Sequence, residues 1–395
     1  MTVVLCTPDG RVLGQLPPFE AAGVWWADAA SVVAGVRERH GVAITVLRLL
    51  SAELPAQPGG AVTVLAEAEQ AAGLDLAPFA GELADHPLRQ PYAEVGGPAR
   101  DLAWAAERLE ERGLRLHGRP EQVRTWNLSS LWRLPLEDGS AWLKCVPSFF
   151  AHEGAVLHRL AGGPVPPLLA HEPGRVLMAE VAGEDHYDAG LPVLLAIVDL
   201  LVGLQVREVG REDELLALGL PDWRPPALTA AVEDVVRRQA PALDPEDRRV
   251  LRELLDGLDR RWAEIASCGV PDTLVHGDVH PGNARGDGGR LVLMDWGDCG
   301  VGHPVLDQPA MLSRLEASTA ELVRDAWDRA WRDAVPGADP RRAAALLAPL
   351  AAARQAVVYQ RFLDHIEPSE HPYHRDDPAL WLREAARSRC TRDHA

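Results

Sequence analysis

One short region of this 395-residue chain constrains its fold more than any other. Residues 274–283 read LVHGDVHPGN, and residues 291–296 read LVLMDW. Each stretch begins with apolar residues typical of a short buried strand and ends in polar ones, and a glycine-rich connection joins them. A hairpin of this kind would bring Asp278, Asn283 and Asp295 into a small volume. Carboxylate and amide oxygens are hard ligands that suit Mg²⁺, which also keeps water and substrate phosphates.

Lysine usage is a second constraint. The chain has 40 basic residues, and Lys144 is the only lysine among them. It ends the apolar segment 141–143, and Glu153 follows nine residues later at a predicted helix start. An ammonium is a compact point charge that an arginine fork does not replace. A functional lysine is therefore predicted, although one lysine left by chance in an arginine-biased sequence is the alternative.

Composition excludes several classes of protein. A net charge of −18 disfavours nucleic-acid binding, because the phosphate backbone is bound through clustered Lys and Arg. No segment reaches the ~18 uninterrupted apolar residues of a membrane span, and the N-terminus lacks the basic start of a signal peptide. Five cysteines without a paired motif argue against a disulfide framework. We therefore expect a cytoplasmic protein with no nucleic-acid or membrane partner.

The order of predicted elements divides the chain into three parts. Residues 1–90 predict a small α/β domain whose helix ends at Gly41. Residues 91–182 predict a leading helix and a β-rich lobe, and residues 183–395 predict a mainly helical lobe. Within the last part, residues 371–377 predict a solvated loop rather than the edge of a pocket.

The motif residues resemble the aminoglycoside phosphotransferase family, relatives of the protein kinases. The family pattern H-G-D-x-H-x-x-N stands at residues 276–283, and its metal motif D-W stands at residues 295–296. The resemblance implies an α+β, bilobal protein-kinase-like fold with a β-rich N-lobe and a mainly helical C-lobe, beside the additional N-terminal domain. It also implies that Asp278 is the catalytic base and that Asn283 and Asp295 hold Mg²⁺.

The same resemblance implies roles in the β-rich lobe. Lys144 would contact the α- and β-phosphates of the nucleotide, and Glu153 would orient it, with Glu172 as a less favoured partner. Residues 175–183 resemble the family's hinge, where an adenine would bond to the Ala179 carbonyl and the Val181 N–H.

The sequence differs from the usual kinase pattern at the loop that is expected to cover the phosphates of the nucleotide. Residues 125–131 read TWNLSSL and contain no glycine. Ser129 and Ser130 can present N–H and hydroxyl groups to phosphate, and an ordinary hairpin turn is an equal alternative. ATP is the expected nucleotide, and GTP stays open.

These residues predict an enzyme that moves the γ-phosphate of ATP to a hydroxyl of a small molecule. An antibiotic is the favoured acceptor, either aminoglycoside-like or another hydroxyl-bearing natural product such as a nucleoside antibiotic, and resistance would follow. A sugar, amino-sugar or other metabolite kinase is the alternative. A metal-dependent hydrolase or an inactive nucleotide-binding module is less favoured. Residues 1–90 are expected to form a lid, a positioning module or a dimerisation module without an active site, and a homodimer stays open.

Overall fold

The computed structural model describes residues 1–23, 25–53, 60–68, 73–287 and 289–390. The strands are β1 Thr2–Cys6, β2 Val12–Gln15, β3 Ile44–Glu53, β4 Ala61–Ala68, β5 Glu121–Trp126, β6 Ser129–Pro135, β7 Ser140–Cys145, β8 Leu168–Glu172, β9 Arg175–Ala179, β10 Glu184–Asp185, β11 Thr273–Val275, β12 Ala284–Gly286, β13 Leu291–Leu293 and β14 Gly300–Gly302. The helices are α1 Ala29–His40, α2 Gly97–Glu110, α3 Glu153–Arg159, α4 Leu191–Glu208, α5 Glu212–Ala217, α6 Pro225–Gln239, α7 Pro245–Asp256, α8 Leu258–Ala266, α9 Gln308–Leu312, α10 Ala317–Ala334, α11 Pro340–His365, α12 His371–His374 and α13 Asp377–Cys390. None of the helices in these ranges has both the length and the apolar character that a membrane span requires.

The chain divides into two compact units. Unit 1 contains residues 1–154, 168–180 and 362–375. Unit 2 contains residues 155–167, residues 181–361 and the described residues from 376 onward. Unit 1 is built on two larger sheets, and unit 2 is mainly helical, as the sequence predicts.

The first sheet of unit 1 has the order β2-β1-β4-β3. β1 pairs antiparallel with β2 and parallel with β4, so the chain crosses over between β1 and β4. Helix α1 covers this sheet and buries Val32 and Val36 in the shared core. The helix begins where the Asp28 side chain accepts the Ser31 N–H, and it ends at Gly41 with φ 68°. The predicted helix end at Gly41 is therefore confirmed.

The second sheet of unit 1 has the order β5-β6-β7-β9-β8 and is antiparallel throughout. It places Lys144 on the central strand β7, opposite Leu131 of β6 and Val176 of β9. Alternate residues of β7, among them Leu143 and Cys145, pack into a core with helix α2. Lys144 consequently projects from the other face of the sheet.

Residues from both ends of the chain complete unit 1. The Gln122 side chain of β5 bonds to both the N–H and the carbonyl of Val46 in β3, at 2.8 and 2.7 Å. Tyr373 of α12 is buried and stacks on Trp26 with ring centroids 4.4 Å apart. The prediction of a solvated loop over residues 371–377 is therefore wrong. The neighbouring residues are polar, but the apolar ring of Tyr373 is enough to anchor the segment in the core.

Unit 2 carries two small sheets among its helices, with the orders β10-β12-β13 and β11-β14. β11 leads into the HGD segment, and β12 and β13 form the hairpin expected between Asn283 and Asp295. Ala284 pairs with Leu293 in this hairpin, and the Met294 N–H donates to the Asn283 carbonyl at 2.7 Å. The pairing therefore holds the two predicted metal ligands at the same end of the hairpin.

Candidate active site

Lys144 and Glu153 form an ion pair inside unit 1. The Nζ of Lys144 lies 2.8 Å from Oε1 of Glu153, and the two side chains are 14% and 2% exposed. Glu153 begins helix α3, whereas the alternative partner Glu172 pairs with Arg175 at 2.7 Å. The structure thus joins the lysine to the glutamate favoured by the sequence. A shielded pair fixes the ammonium more firmly than a solvated one would.

The turn between β5 and β6 is enclosed in unit 1. Ser129 and Ser130 are buried, and their hydroxyls accept hydrogen bonds from the indole N–H groups of Trp126 and Trp132 at 2.9 and 3.1 Å. The Asn127 N–H donates to the carboxylate of Glu370. These bonds fix a turn that contains no glycine. Contact of the two serines with phosphate stays a prediction.

The segment after β9 carries the predicted adenine contacts. Ala179 ends β9 opposite Ala141, and the next residue donates its N–H to the Ser140 carbonyl at 3.1 Å. In unit 2, the Val181 carbonyl accepts from Nε of Arg285 at 2.8 Å. Adenine binding by the Ala179 carbonyl and the Val181 N–H also stays a prediction.

Asp307 binds the backbone at the start of the loop that contains His276, Gly277 and Asp278, which is called the HGD loop. Its two carboxylate oxygens accept the N–H groups of His276 and Gly277 at 2.9 and 2.7 Å, and the Gln205 side chain donates to it at 2.8 Å. Gly277 has φ 90°, and a Cβ there would collide with the Asp298 carbonyl. Only glycine adopts this positive φ readily and also leaves room for the Asp298 carbonyl. Backbone contacts therefore specify the geometry of the loop.

Two histidines brace this loop. The Nε2 of His276 lies 3.0 Å from the Met294 carbonyl, and its Nδ1 accepts the Asp278 N–H at 3.4 Å. The Nδ1 of His280 accepts the Gly282 N–H at 3.0 Å. Burial lowers the pKa of His280 to about 4, so this ring is neutral near pH 7.

Asp278 has the properties of a general base that works near neutral pH. Burial, followed by the charges of Asp298 and Asp295, raises the pKa of Asp278 to about 7, against the opposing effects of Arg314 and of the Asn283 hydrogen bond. Its side chain is still 42% exposed, so a substrate can reach it. A base is most effective when its pKa lies close to the working pH.

Asn283 and Asp295 fit a magnesium site. Asn283 donates from its side-chain nitrogen to the backbone carbonyl and the carboxylate of Asp278, at 2.9 and 3.1 Å, which orients its amide. Asp295 is exposed and has φ 58°, a conformation that no other non-glycine residue adopts in the described ranges. Left-handed backbone at such a residue is costly and marks a functional constraint. No three His, Cys, Asp or Glu side chains group as metal ligands in the described chain. Two protein ligands suit Mg²⁺, which takes its other ligands from phosphate and water.

Sequence reasoning missed two buried charged residues. Arg354 of α11 faces Asp307, Asp298 and Asp278, and its guanidinium lies over the Trp223 ring at 5.2 Å. A signal was present, because Arg354 follows eleven consecutive apolar residues, 343–353. Glu370 gave no comparable signal, since it lies in a polar segment far along the chain from Asn127.

The strand-borne lysine with its helix glutamate and the loop carrying Asp278, Asn283 and Asp295 define a phosphotransferase of the kinase type. The chain belongs to the phosphotransferase enzyme family, whose model matches residues 147–346. The protein-kinase-like fold predicted from the sequence is confirmed.

Several solved structures have a fold similar to that of this chain. A macrolide 2′-phosphotransferase from Brachybacterium faecium is 18% identical, with a TM-score of 0.51 over 70% of this chain and 97% of that chain. A type I macrolide 2′-phosphotransferase is 18% identical, with a TM-score of 0.53 over 71% and 97%. The choline kinase of Streptococcus pneumoniae is 15% identical, with a TM-score of 0.52 over 73% and 99%. A comparison with curated protein sequences found no match.

Proposed function

We propose that this chain transfers the γ-phosphoryl group of ATP to a hydroxyl of a small molecule, with Mg²⁺ bound. The environment of Asp278 is the observation that carries the proposal. The carboxylate is 42% exposed, lies 3.1 Å from the side-chain nitrogen of Asn283, and can accept the proton of a bound hydroxyl. The acceptor oxygen then bonds to the γ-phosphorus, the bond from that phosphorus to the β–γ bridging oxygen breaks, and ADP leaves.

The other site residues have matching roles. Lys144, held by Glu153, contacts the α- and β-phosphates, and Ser129, Ser130, Ala179 and Val181 complete the nucleotide contacts. Asn283 and Asp295 hold Mg²⁺, which neutralises the phosphate charge when bound. ATP is the proposed nucleotide, with GTP as a competitor to test beside it.

An antibiotic is the proposed acceptor, and phosphorylation would confer resistance. Phosphotransferases of macrolides are among the proteins of similar fold, and a choline kinase among them keeps a metabolite acceptor as the second candidate. The supply of ATP and the buried free thiols, such as Cys6 and Cys145, support a cytoplasmic location.

Residues 1–90 are proposed as a positioning module. The Gln122 bonds to Val46 and the Thr125 N–H bond to the Ala27 carbonyl at 3.0 Å tie this segment to β5, beside the turn that carries Asn127. No contact among the described residues gives comparable support to a role as a lid or in dimerisation.

Acceptor-dependent release of ADP tests the proposal. Asp278→Asn should lower turnover by about 10²–10⁴-fold while nucleotide binding persists, because it removes a general base. Activity should stop on chelation and return with Mg²⁺. Near-normal turnover in the variant would show that Asp278 is not the base. Tightly bound zinc in the purified protein would contradict the proposal and favour a metal-dependent hydrolase.

A further inference from the structure

An open cavity of about 1000 Å³ lies within unit 2, lined by α9, α10, α11 and α13. This volume is at the upper limit of ~300–1,000 Å³ for pockets that hold drug-sized ligands. Along α11 the lining runs from Arg341 to Ala352, which corresponds to about 16 Å at the rise of an α-helix. A molecule as small as choline or a monosaccharide would leave most of this space unfilled.

The cavity walls are mainly apolar. Leu312, Ala348, Leu380 and Trp381 represent the side chains that α9, α11 and α13 contribute. The charged lining residues are three arginines and two acids, namely Arg324, Arg341, Arg387, Asp377 and Glu384. Polycations are attracted by surfaces with a clear surplus of acids. These walls instead favour an occupant with a large apolar surface.

One wall of the cavity lies next to a residue that holds the HGD loop. Gln308 lines the cavity, and the preceding residue, Asp307, holds the N–H groups of His276 and Gly277. Ser313, which follows α9, also lines the cavity.

A second wall approaches the same loop. Ala351 and Ala352 line the cavity, and Arg354 on the same helix presents Nη2 close to Gly277. The walls to which Gln308 and Ala352 contribute are therefore next to residues that hold the HGD loop, in which Asp278 follows Gly277.

We infer that the acceptor of this chain is a large, mainly apolar molecule with a free hydroxyl, and that its body occupies this cavity along α11. The inference rests on the proposed function and specifies its substrate class. The hydroxyl would lie at the walls to which Gln308 and Ala352 contribute, on the side of the HGD loop and Asp278. Small polar acceptors would bury too little surface to be held there.

Acceptor-dependent ADP release with five probes tests the inference. Erythromycin and rifampicin are large and mainly apolar, whereas kanamycin, choline and glucosamine are small or strongly polar. At least one of the first two should exceed each of the other three by about 100-fold in kcat/KM. Transfer only to kanamycin, choline or glucosamine would overturn the inference and leave the proposed function standing. ATP binding without transfer to any probe would overturn both.

A pair of tryptophan variants locates the binding surface. Ala348→Trp fills part of the cavity and should raise KM for the large acceptor by about 10-fold or more, since a well-packed pocket tolerates added volume poorly. Ala230→Trp adds the same side chain at an exposed position of α6 and should change neither KM nor kcat. Matching melting temperatures would show that both variants fold. An unchanged KM in folded Ala348→Trp would exclude this cavity as the acceptor site.

Discussion

The carboxylate of Glu370 accepts the backbone N–H of Asn127 across 243 positions of sequence, at 3.0 and 3.1 Å to its two oxygens. Asn127 returns the contact by accepting the Glu367 N–H on its side-chain oxygen at 3.3 Å. Both residues are buried in unit 1. The turn between β5 and β6 is thus held by a carboxyl group that has no solvent around it.

Unit 1 should consequently lose stability as the pH rises. Burial raises the pKa of Glu370 to about 8 from the ordinary 4.5, so the folded state binds the proton more tightly than the unfolded state. The stabilising effect is complete below about pH 4.5 and declines as the pH approaches 8. Glu370→Gln, which imitates the protonated form, should remove about 1–3 kcal/mol of this decline. Urea unfolding between pH 5 and pH 8 measures it.

The control for that experiment is Glu38→Gln, at an exposed position of α1, which should leave the pH dependence of stability unchanged. If Glu370→Gln and the parent protein changed in parallel with pH, the turn would not depend on the charge state of Glu370.

Two substitutions separate the carboxylate of Asp295 from its backbone conformation. Asn tolerates left-handed φ, so Asp295→Asn should keep the stability of the protein while strongly raising the Mg²⁺ concentration needed for turnover. Asp295→Ala should lose activity and also about 1 kcal/mol of unfolding free energy, because alanine resists that conformation. Magnesium titrations and thermal unfolding distinguish the two effects. Full activity of Asp295→Asn at the parent's Mg²⁺ concentration would remove Asp295 from the metal site.

The solitary lysine allows a simple protection experiment. An amine-directed reagent has two targets, Lys144 and the N-terminal amine, and Mg-ATP should protect Lys144 alone. The N-terminal amine is the internal reference in the same sample. Peptide mass spectrometry reads both sites, and modification of Lys144 at equal rates with and without Mg-ATP would place it outside the nucleotide site.

Substitution of the same lysine tests geometry. Lys144→Arg keeps the charge but replaces a compact ammonium by a planar fork, and the pair with Glu153 should be disturbed. We expect the KM for ATP to rise by about 10-fold with a lower kcat. Steady-state kinetics with ATP varied gives both constants, and a kinetically neutral Lys144→Arg would contradict the assigned role.

Arg354 should stabilise the acids beneath the HGD loop. Arg354→Met keeps the length of the side chain but removes the cation that faces Asp307, Asp298 and Asp278. Unfolding free energy should fall by about 2–4 kcal/mol, because a buried charge loses its partner. Arg354→Lys, which keeps the cation, should recover part of this loss. Equal denaturant midpoints for Arg354→Met and the parent protein would show that the acids need no compensating charge.

Local sequence patterns predicted the parts of the site that lie close together along the chain. Asp278 and Asn283 are five residues apart, and a hairpin brings Asp295 beside them, so strand periodicity and turn residues suffice. The pairing of Lys144 with Glu153 was predicted from the family resemblance, because a strand lysine followed nine residues later by a glutamate at a helix start fits the kinase pattern. The contacts of Glu370 and Arg354 depend on helices that return from far along the chain, and no periodicity encodes which buried partner they meet.

Strand pairing was likewise predictable only between strands that are close together along the chain. The hairpin of β1 and β2 is visible in the sequence, whereas the parallel pairing of β1 with β4 depends on a crossover. Residues 55–60, which read PAQPGG, predict a turn, and all of them except Gly60 lie outside the described residues. The division into residues 1–90, 91–182 and 183–395 stays a prediction, to be tested by limited proteolysis.

The return of residues 362–375 to unit 1 has a consequence for the synthesis of the protein on the ribosome. The strand that carries Lys144 emerges early, but Glu370 and Tyr373 follow almost 200 residues after β9 ends. At roughly 5–20 residues per second, the nascent sheets wait about 10–40 s for these side chains. During that interval the turn at Asn127 and the ring of Trp26 lack these contacts, so unit 1 becomes complete only after residues 362–375 have been made.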